Sequence, residues 1–514
     1  MSNRADALIH QAARQPAKTA LIFEDQTWTY AELLRDVRSR AAGLAQAGMR
    51  RGQKIGLMLE TAPEFILLQQ AAFFLGVVVV PMNMHYRSNE IEHVLATCEV
   101  EYLVIEAAFA DRLPADLAAR CPSLAAIFVN GAPSAPPALP VRKGTELLGD
   151  DAACPPPAML DDDDLALMLY TSATTGKAKG VMLSLGNLSS NYDRTPDWLG
   201  LRANDVILCA LPLYNTFALN QCINALVFLG ATMVLLRRFD AVACMAAIER
   251  HRCTFFPAVP TMLQKVFNHP DTGTHDLTAL RRVVTGGAPV PAAILALVHD
   301  HTGHHVTVIT GYGLTEATAL NTIHEVRLGA DGQLHRPKSV GRALPGIEIA
   351  IRDEASRALP FGTVGEICIK GACVMKGYYK LPEMTAEAIR DGWLHTGDLG
   401  VMEPDGHFSI VDRKKDLIIR GGQNIYPADI EEALYSHPAV AEAGVIAEPD
   451  DVMGEVPSAY VAMKPGAVAT PEELLAHCRG LLASYKVPAT LRIIAELPKG
   501  PTGKILRRGL RPDA

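Results

Sequence analysis

Short apolar runs alternate with longer amphipathic or wholly apolar stretches along most of the chain. Lys54-Ile-Gly-Leu-Met-Leu59 precedes a helix-length stretch from Ala62 to Phe74, Val77 to Val80 follows, and Tyr102-Leu-Val-Ile105 resumes the pattern. Apolar strands separated by helix-length segments read as βαβ units whose parallel sheets are covered by helices, which predicts an α/β fold. Two stretches, Phe65 to Met84 and Val206 to Leu236, carry no charge and are long enough to cross a bilayer. Gln69-Gln70, Gly76 and Pro81 interrupt the first, and Pro212, Asn215, Asn220, Gln221 and Asn224 load the second with groups that lipid penalises. Each stretch therefore predicts a buried helix feeding a buried strand, Gly76-Val-Val-Val-Val80 in one case and Ala231-Thr-Met-Val-Leu-Leu236 in the other.

Two breaks divide this pattern. From Asn130 to Pro157 prolines, alanines and glycines accumulate, and the run Asp161 to Asp164 follows; this reads as a surface connection with a solvated acidic run. A sharper boundary is the charged run Asp412-Arg-Lys-Lys-Asp416, set between Phe408-Ser-Ile-Val411 and Leu417-Ile-Ile419. Beyond it the pattern predicts a helix (Pro427 to Ser436), strands (Val440 to Ile446 and Ala459 to Met463), a helix (Pro471 to Ala483) and a strand (Leu491 to Ile494), hence a small α+β domain. The expected division is a large domain over 1–412, a hinge over 413–416 and a small domain over 417–514.

Length and composition narrow the function. At 514 residues the chain exceeds one core, and 49% hydrophobic with 20% charged residues is ordinary for a folded protein. A net charge of −8 argues against a nucleic-acid groove. Ten cysteines are scattered from Cys98 to Cys478 without a Cys-x2-Cys pair, which points to core thiols in a reducing compartment rather than zinc or disulfides. No apolar segment follows Met1-Ser-Asn-Arg-Ala-Asp6, so the expectation is a cytoplasmic protein with no membrane span.

The chemistry begins at Tyr170-Thr-Ser-Ala-Thr-Thr-Gly176-Lys-Ala-Lys-Gly180, between the apolar runs Leu165 to Leu169 and Val181 to Leu183. A P-loop needs Gly-x4-Gly-Lys-[Ser/Thr] leading into a helix. Here Thr171 holds the first glycine position, Ala178 follows the lysine, and β-like residues resume at Val181. The segment reads as a strand, a loop whose hydroxyls and N–H groups face a polyphosphate, and a second strand; alone, it would equally describe a surface turn. Four further segments share this texture. Gly311-Tyr-Gly-Leu-Thr-Glu-Ala317 follows the apolar Val306 to Ile309 and delivers an aromatic, a hydroxyl and a carboxylate to a strand's carboxyl end, where open α/β sheets bind ligands. Gly286-Gly-Ala-Pro289 follows Arg282-Val-Val-Thr285 and lets a flat ligand approach the backbone. Gly392-Trp-Leu-His-Thr-Gly-Asp398-Leu-Gly400 sets a carboxylate among small residues, and Pro498-Lys-Gly-Pro-Thr-Gly-Lys504 holds a lysine at the end of a glycine–proline loop.

In this order the segments resemble the adenylate-forming superfamily of acyl-CoA synthetases, peptide-synthetase adenylation domains and firefly luciferase, over nearly the whole chain. The resemblance implies a large N-terminal domain of stacked βαβ sheets with a β-barrel-like subdomain, and a small mobile α+β C-terminal domain. It implies ATP and AMP contacts at Thr171, Ser172, Thr174, Thr175, Gly176, Lys179, Gly287, Ala288, Pro289, Gly311, Tyr312, Gly313, Thr315, Asp398 and Arg413. Tyr312 would stack on adenine, and Asp398 and Arg413 would hold the ribose. Glu316 with Thr174 would hold Mg²⁺, for which carboxylate oxygen suits a hard cation. Lys504 would be catalytic, stabilising charge on the α-phosphate as a carboxylate attacks. Lys415 would be the hinge, and Gly421 and Gly422 would line the thiol tunnel after rotation.

Two positions depart from the family pattern: Ala173 stands where the phosphate loop has glycine, and Asn215 where histidine is common in acyl- and aryl-CoA ligases. By resemblance the acyl pocket comprises Asn215, Phe217, Val259, Gly287, Gly311 and Val340, none of them charged. An uncharged pocket selects a monocarboxylic acid with an apolar tail, because a second carboxylate or an amine would need a buried counter-charge; Lys265 is the nearest candidate for one. The expected activity is an ATP- and Mg²⁺-dependent acid–thiol ligase using CoA. One rival is a ligase that loads the phosphopantetheine of an acyl carrier protein, disfavoured because Gly365-Glu-Ile-Cys runs to Gly392 without an insertion. The other is a non-catalytic relative that only binds nucleotide or acyl group.

Overall fold

The computed structural model describes residues 3–133, 139–171, 178–287, 290, 292–302, 305–328, 334–464, 466–499 and 505–510. Two sheets build the large domain. The first has fifteen strands, of which seven form an unbroken path in the order Gln26–Thr29, Thr19–Phe23, Thr232–Leu235, Val206–Cys209, Phe255–Ala258, Arg282–Gly286 and Thr307–Gly311. All of these pair in parallel except the edge hairpin Thr19–Thr29. The path continues through antiparallel strands Thr322–Leu328, Ser339–Ala343, Phe408–Arg413, Trp393–Met402, Gly365–Gly371 and Ile347–Arg352, which make the barrel-like part. The barrel-like part is thus continuous with the parallel sheet. The second sheet has eight strands and centres on Lys54–Met58, Val78–Pro81, Tyr102–Glu106 and Leu165–Thr171.

Both uncharged stretches are interior. The helix Pro63–Leu75 is apolar on every face and is buried from Phe65 onward, as an all-round apolar helix must be in water. Proline at its first turn and Gly76 with φ +66° at its end set its limits. The second stretch runs from strand Val206–Cys209 through a helical segment over 216–229 to strand Thr232–Leu235. Leu219–Ile223 and Ala225–Leu229 in it adopt the wider π-helical turn. Its amides bond protein rather than lipid: Asn220 Nδ2 donates to Thr195 Oγ1 at 3.1 Å and Arg4 donates to Asn224 Oδ1 at 2.6 Å. Among the described residues no helix is long and apolar enough to cross a membrane. All ten cysteines are free, and nine of them are buried.

The small domain has its own five-stranded sheet and its own core of Ile418, Ile430, Leu434, Val445, Val461 and Leu474. Its helices, Pro427–Tyr435 and Pro471–Leu481, start on prolines, and Thr470 caps the second through a capping box with Glu473. The central hairpin, Val440–Asp450 with Gly454–Met463, is longer than its sequence predicts because pairing continues through Pro449 and Pro457; proline ordinarily argues against strand. One 3₁₀ turn, Lys414–Asp416, separates strand Phe408–Arg413 of the large sheet from strand Ile418–Arg420 of the small one. The two parts also touch directly, since Gln264 Nε2 donates to Ala441 O at 2.7 Å and Lys338 pairs with Glu432.

Candidate active site

The predicted motifs converge on the carboxyl edge of the parallel sheet. Strands Phe255–Ala258, Arg282–Gly286 and Thr307–Gly311 lie side by side in register, with Gly286 opposite Gly311. Val259, Gly287 and Tyr312 are the residues that immediately follow them. Asn215 and Phe217 follow the neighbouring strand Val206–Cys209, and Val340 enters from strand Ser339–Ala343. This edge, where chain direction carries the strands into loops, is where open α/β sheets receive ligands. Gly287 has φ +76°, a left-handed conformation that favours glycine, and a Cβ on Gly313 would lie 1.5 Å from Ala319 O. A Cβ on Gly311 would likewise lie 2.6 Å from Thr322 O, so neither glycine flanking Tyr312 has room for a side chain.

Tyr312 is buried. Its N–H donates to Thr322 Oγ1 at 2.9 Å, its ring meets Phe408 edge-on at 5.9 Å, and its hydroxyl donates to Asp398 Oδ2 at 2.7 Å. Burial, and then the Asp398 charge, hold the phenol well above its usual range, so it remains a donor. Asp398 faces Arg413 across the antiparallel ladder of Trp393–Met402 and Phe408–Arg413, and Arg413 Nε lies 3.2 Å from Asp398 Oδ1. The strand segment bearing Asp398 is held by Glu366 of the adjacent strand Gly365–Gly371. One carboxylate oxygen of Glu366 accepts the Gly397 N–H at 2.9 Å and the other lies 3.1 Å from His395 Nδ1. The sequence motifs did not single out Glu366 or Thr322; neither carries a signal beyond an ordinary polar residue in a strand.

At the other end, Thr171 and Lys179 face each other where strands Leu165–Thr171 and Lys179–Ser184 close on the loop between them. Ser172, Thr174, Thr175 and Gly176 of that loop lie outside the described residues, as do Ala173, Ala288, Pro289 and Lys504. The described flanks are well placed. Glu316, in the 3₁₀ turn Thr315–Ala317, accepts from Thr171 Oγ1 at 3.4 Å and from the Tyr378 hydroxyl at 3.2 Å on the same oxygen, Oε1. Lys179 Nζ sits 4.3 Å from the Tyr378 ring centroid, a cation–π distance. His93 Nε2 bonds the carbonyl of Ala178, at the start of the described downstream flank, at 2.8 Å. Tyr378 was missed in the sequence; its signal is the aromatic pair in Met375-Lys-Gly-Tyr-Tyr379.

One carboxylate with neighbouring hydroxyl oxygens is a donor set that would suit Mg²⁺, with Glu316 the residue that would hold it. Among the described residues no group of three or more His, Cys, Asp or Glu side chains forms a metal cage. Lys265 supplies no counter-charge to the pocket: it is exposed on the helix Pro260–Phe267, and its charge acts on Glu496 of the small domain. Gly421 and Gly422, with φ +56° and +80°, are exposed in this orientation of the small domain.

The edge of the parallel sheet thus carries the linked side chains Tyr312, Asp398 and Arg413 on one side and Thr171, Lys179 and Glu316 on the other, in an α/β chain with a large and a small domain. The chain belongs to the AMP-binding enzyme family: that family's profile matches residues 8–379, and the profile of its C-terminal domain matches residues 429–504. It is 35% identical over 506 residues to feruloyl-CoA synthase of Amycolatopsis sp, covering 98% of this chain and 97% of that protein. To the long-chain-fatty-acid–CoA ligase of Bacillus subtilis it is 34% identical over 534 residues, covering 98% and 93%. The crystal structure of the anthranilate CoA ligase AuaEII in complex with anthranoyl-AMP superposes with a TM-score of 0.89 at 26% identity, covering 99% of this chain and 96% of that one.

Proposed function

We propose that the protein is an acid–thiol ligase that activates an apolar monocarboxylic acid with ATP and passes the acyl group to CoA. The observation that carries this reading is the chain of contacts from Tyr312 through Asp398 to Arg413 on one side of the sheet edge, with Glu316, Thr171 and Lys179 on the other. In the first step a carboxylate oxygen attacks the α-phosphorus of ATP, and the bond to the bridging oxygen breaks to release pyrophosphate. Asp398 and Arg413 fix the ribose, Tyr312 packs on adenine, and Thr171, Ser172, Thr174, Thr175, Gly176 and Lys179 bind phosphate. Glu316 would hold Mg²⁺ with Thr174, and the ion supplies charge neutralisation on the phosphates when bound. Lys504 stabilises the charge that builds on the α-phosphate oxygens. In the second step the small domain turns about the 413–416 hinge at Lys415, and the thiol sulfur attacks the acyl carbon as the C–O bond to AMP breaks. Gly421 and Gly422 then leave room for the pantetheine arm.

The acid is fatty or aromatic, in keeping with the feruloyl and long-chain relatives and with the absence of charge among Asn215, Phe217, Val259, Gly287, Gly311 and Val340. A carrier protein is the second acceptor to weigh, because the turn beside Gly421 exposes Val452, at 88%, together with Met453 and Ile419, an apolar surface suited to a protein-borne thiol. Ten free cysteines fit a cytoplasmic setting. The deciding experiment is pyrophosphate release with Mg-ATP against aryl and alkyl acids, each with CoA and with a phosphopantetheinylated carrier protein. Acid-dependent release with thioester on CoA supports the ligase, thioester on the carrier alone selects the second acceptor, and ATP binding without release sinks the catalytic reading.

A further inference from the structure

Arg507 binds three carboxylates drawn from both sides of the hinge. Its Nη1 lies 3.2 Å from Asp412 Oδ1 and 2.9 Å from Asp416 Oδ2, while Nη2 lies 3.0 Å from both oxygens of Glu431. Asp412 belongs to the large sheet, where it pairs with Leu399, and Glu431 lies in the small-domain helix Pro427–Tyr435. Asp412 is buried, and its second oxygen accepts the Ala428 N–H at 2.9 Å, in the first turn of that helix. A large-domain residue thus has both carboxylate oxygens bonded by the small domain.

Arg507 also anchors a hairpin. Ile505 bridges Lys499 in antiparallel fashion and Leu506 N–H donates to Pro498 O at 2.8 Å, closing the base of a loop whose residues 500–504 lie outside the described residues. The upstream leg is pinned by Lys499 Nζ, which lies 2.8 Å from Glu442 Oε1 and 3.1 Å from Glu496 Oε1. The downstream leg is pinned by Arg507. Glu442 adjoins Ala441, which receives the Gln264 hydrogen bond from the large domain. The base is therefore tied, through Glu442, to the strand that touches the large domain at Gln264, while Gly421 and Gly422 are exposed.

We propose that Arg507 is a positioning residue that latches the hairpin base to Asp412 across the hinge and so holds the small domain in its acid-activating orientation. The proposal rests on the two-step reading above. Turning the small domain about Lys415 carries Arg507 and Ala428 away from Asp412, so both contacts break on the way to the thiol-transfer orientation. Without the guanidinium, Asp412, Asp416 and Glu431 face one another unpaired in a half-buried site, which separates the domains by like-charge repulsion. The latch biases an equilibrium between two orientations and makes no contact with the reacting atoms.

The test compares Arg507→Met, Arg507→Lys and Asp412→Asn in the full chain, with melting temperature as the check on folding. Two half-reactions are timed: pyrophosphate release with ferulate or palmitate, and thioester formation on CoA from the supplied acyl-adenylate. Tryptic cleavage at Arg413, Lys414 and Lys415 is followed separately in Mg-ATP without acid. The expected result is that Arg507→Met slows pyrophosphate release about tenfold, leaves thioester formation from acyl-adenylate within about twofold, and speeds hinge cleavage about fivefold. Asp412→Asn moves all three the same way to a smaller extent, and Arg507→Lys recovers part of the loss because it keeps a point charge without the fork. Equal loss in both half-reactions, or hinge cleavage at the wild-type rate, overturns the latch. If the wild-type protein activates neither acid, the assigned acid class fails, and the hinge-cleavage comparison still decides the latch.

Discussion

The Tyr312 hydroxyl donates to Asp398 Oδ2 at 2.7 Å, joining the turn after strand Thr307–Gly311 to strand Trp393–Met402, 86 residues further along the chain. The bond leaves Asp398 Oδ1 to Arg413 and so fixes the carboxylate plane for the proposed ribose contact. A hydrogen bond to a charged acceptor is worth about 1.5–3 kcal/mol. Tyr312→Phe keeps the ring but frees Asp398, so the KM for ATP should rise about tenfold while kcat changes little. ATP titration of pyrophosphate release measures both; an unchanged KM would mean that Tyr312 does not orient Asp398.

Glu316 Oε1 receives two hydroxyls, from Thr171 and Tyr378. Glu316→Gln removes the charge a hard cation needs, so saturation should require about tenfold more Mg²⁺ and activity at limiting Mg²⁺ should fall about 10²-fold. Tyr378→Phe leaves the charge and removes one donor, and a shift of only a few-fold in the same direction is expected. Mg²⁺ titration at fixed ATP separates the two; equal Mg²⁺ requirements for wild type and Glu316→Gln would place the ion elsewhere.

Local chemistry made part of this legible in the sequence. The strand–loop–strand reading at 165–184 holds because β-like runs flank a loop too polar to bury, and the pair closes at Thr171 and Lys179. Both uncharged stretches are interior, and amides of the second bond protein groups such as Thr195 and Arg4. What could not be read depends on contacts distant in sequence. Tyr378 reaches Glu316 across 62 residues, Glu366 reaches Gly397 across 31, and Arg507 reaches Asp412 across 95. Apart from the aromatic pair Tyr378-Tyr379, nothing local marks these side chains, since an isolated arginine resembles any solvated cation. Proline misled at 449 and 457, where pairing in a long hairpin outweighs the loss of two backbone donors.

His324 is 5% exposed, and its ring meets His407 edge-on at 5.4 Å. His335, Arg336 and Arg342 lie nearby, with Glu403 and Asp405 pairing the arginines. Burial chiefly holds His324 below its ordinary value of 6.5, with His407 adding to the effect. A base whose folded pKa is lowered is neutral in the fold, so the unfolded chain takes up the proton first. Its contribution to stability is present above 6.5 and is lost as pH falls below 6.5 toward the folded value. Denaturant midpoints measured from about pH 7.5 to about pH 5.5 should decline, and His324→Gln should flatten part of that decline. A slope identical to wild type would assign the pH dependence to other groups.

Gly422 separates geometry from function within one residue. A Cβ there would meet nothing within 4 Å, but φ of +80° lies in the left-handed region, where a side chain costs about 1 kcal/mol. In the orientation seen, Gly422 is exposed, with open space around its Cβ position. Gly422→Ala should therefore lower stability by about 1 kcal/mol and leave pyrophosphate release near the wild-type rate. If the strand Gln423–Ile425 and its leading glycines border the thiol path after rotation, the added methyl narrows that path, and thioester formation should fall about tenfold. Single-turnover transfer from supplied acyl-adenylate to CoA reads the second step alone. Loss of both steps together would mean that the substitution only unfolds the small domain, and loss of neither would place the thiol path on another segment.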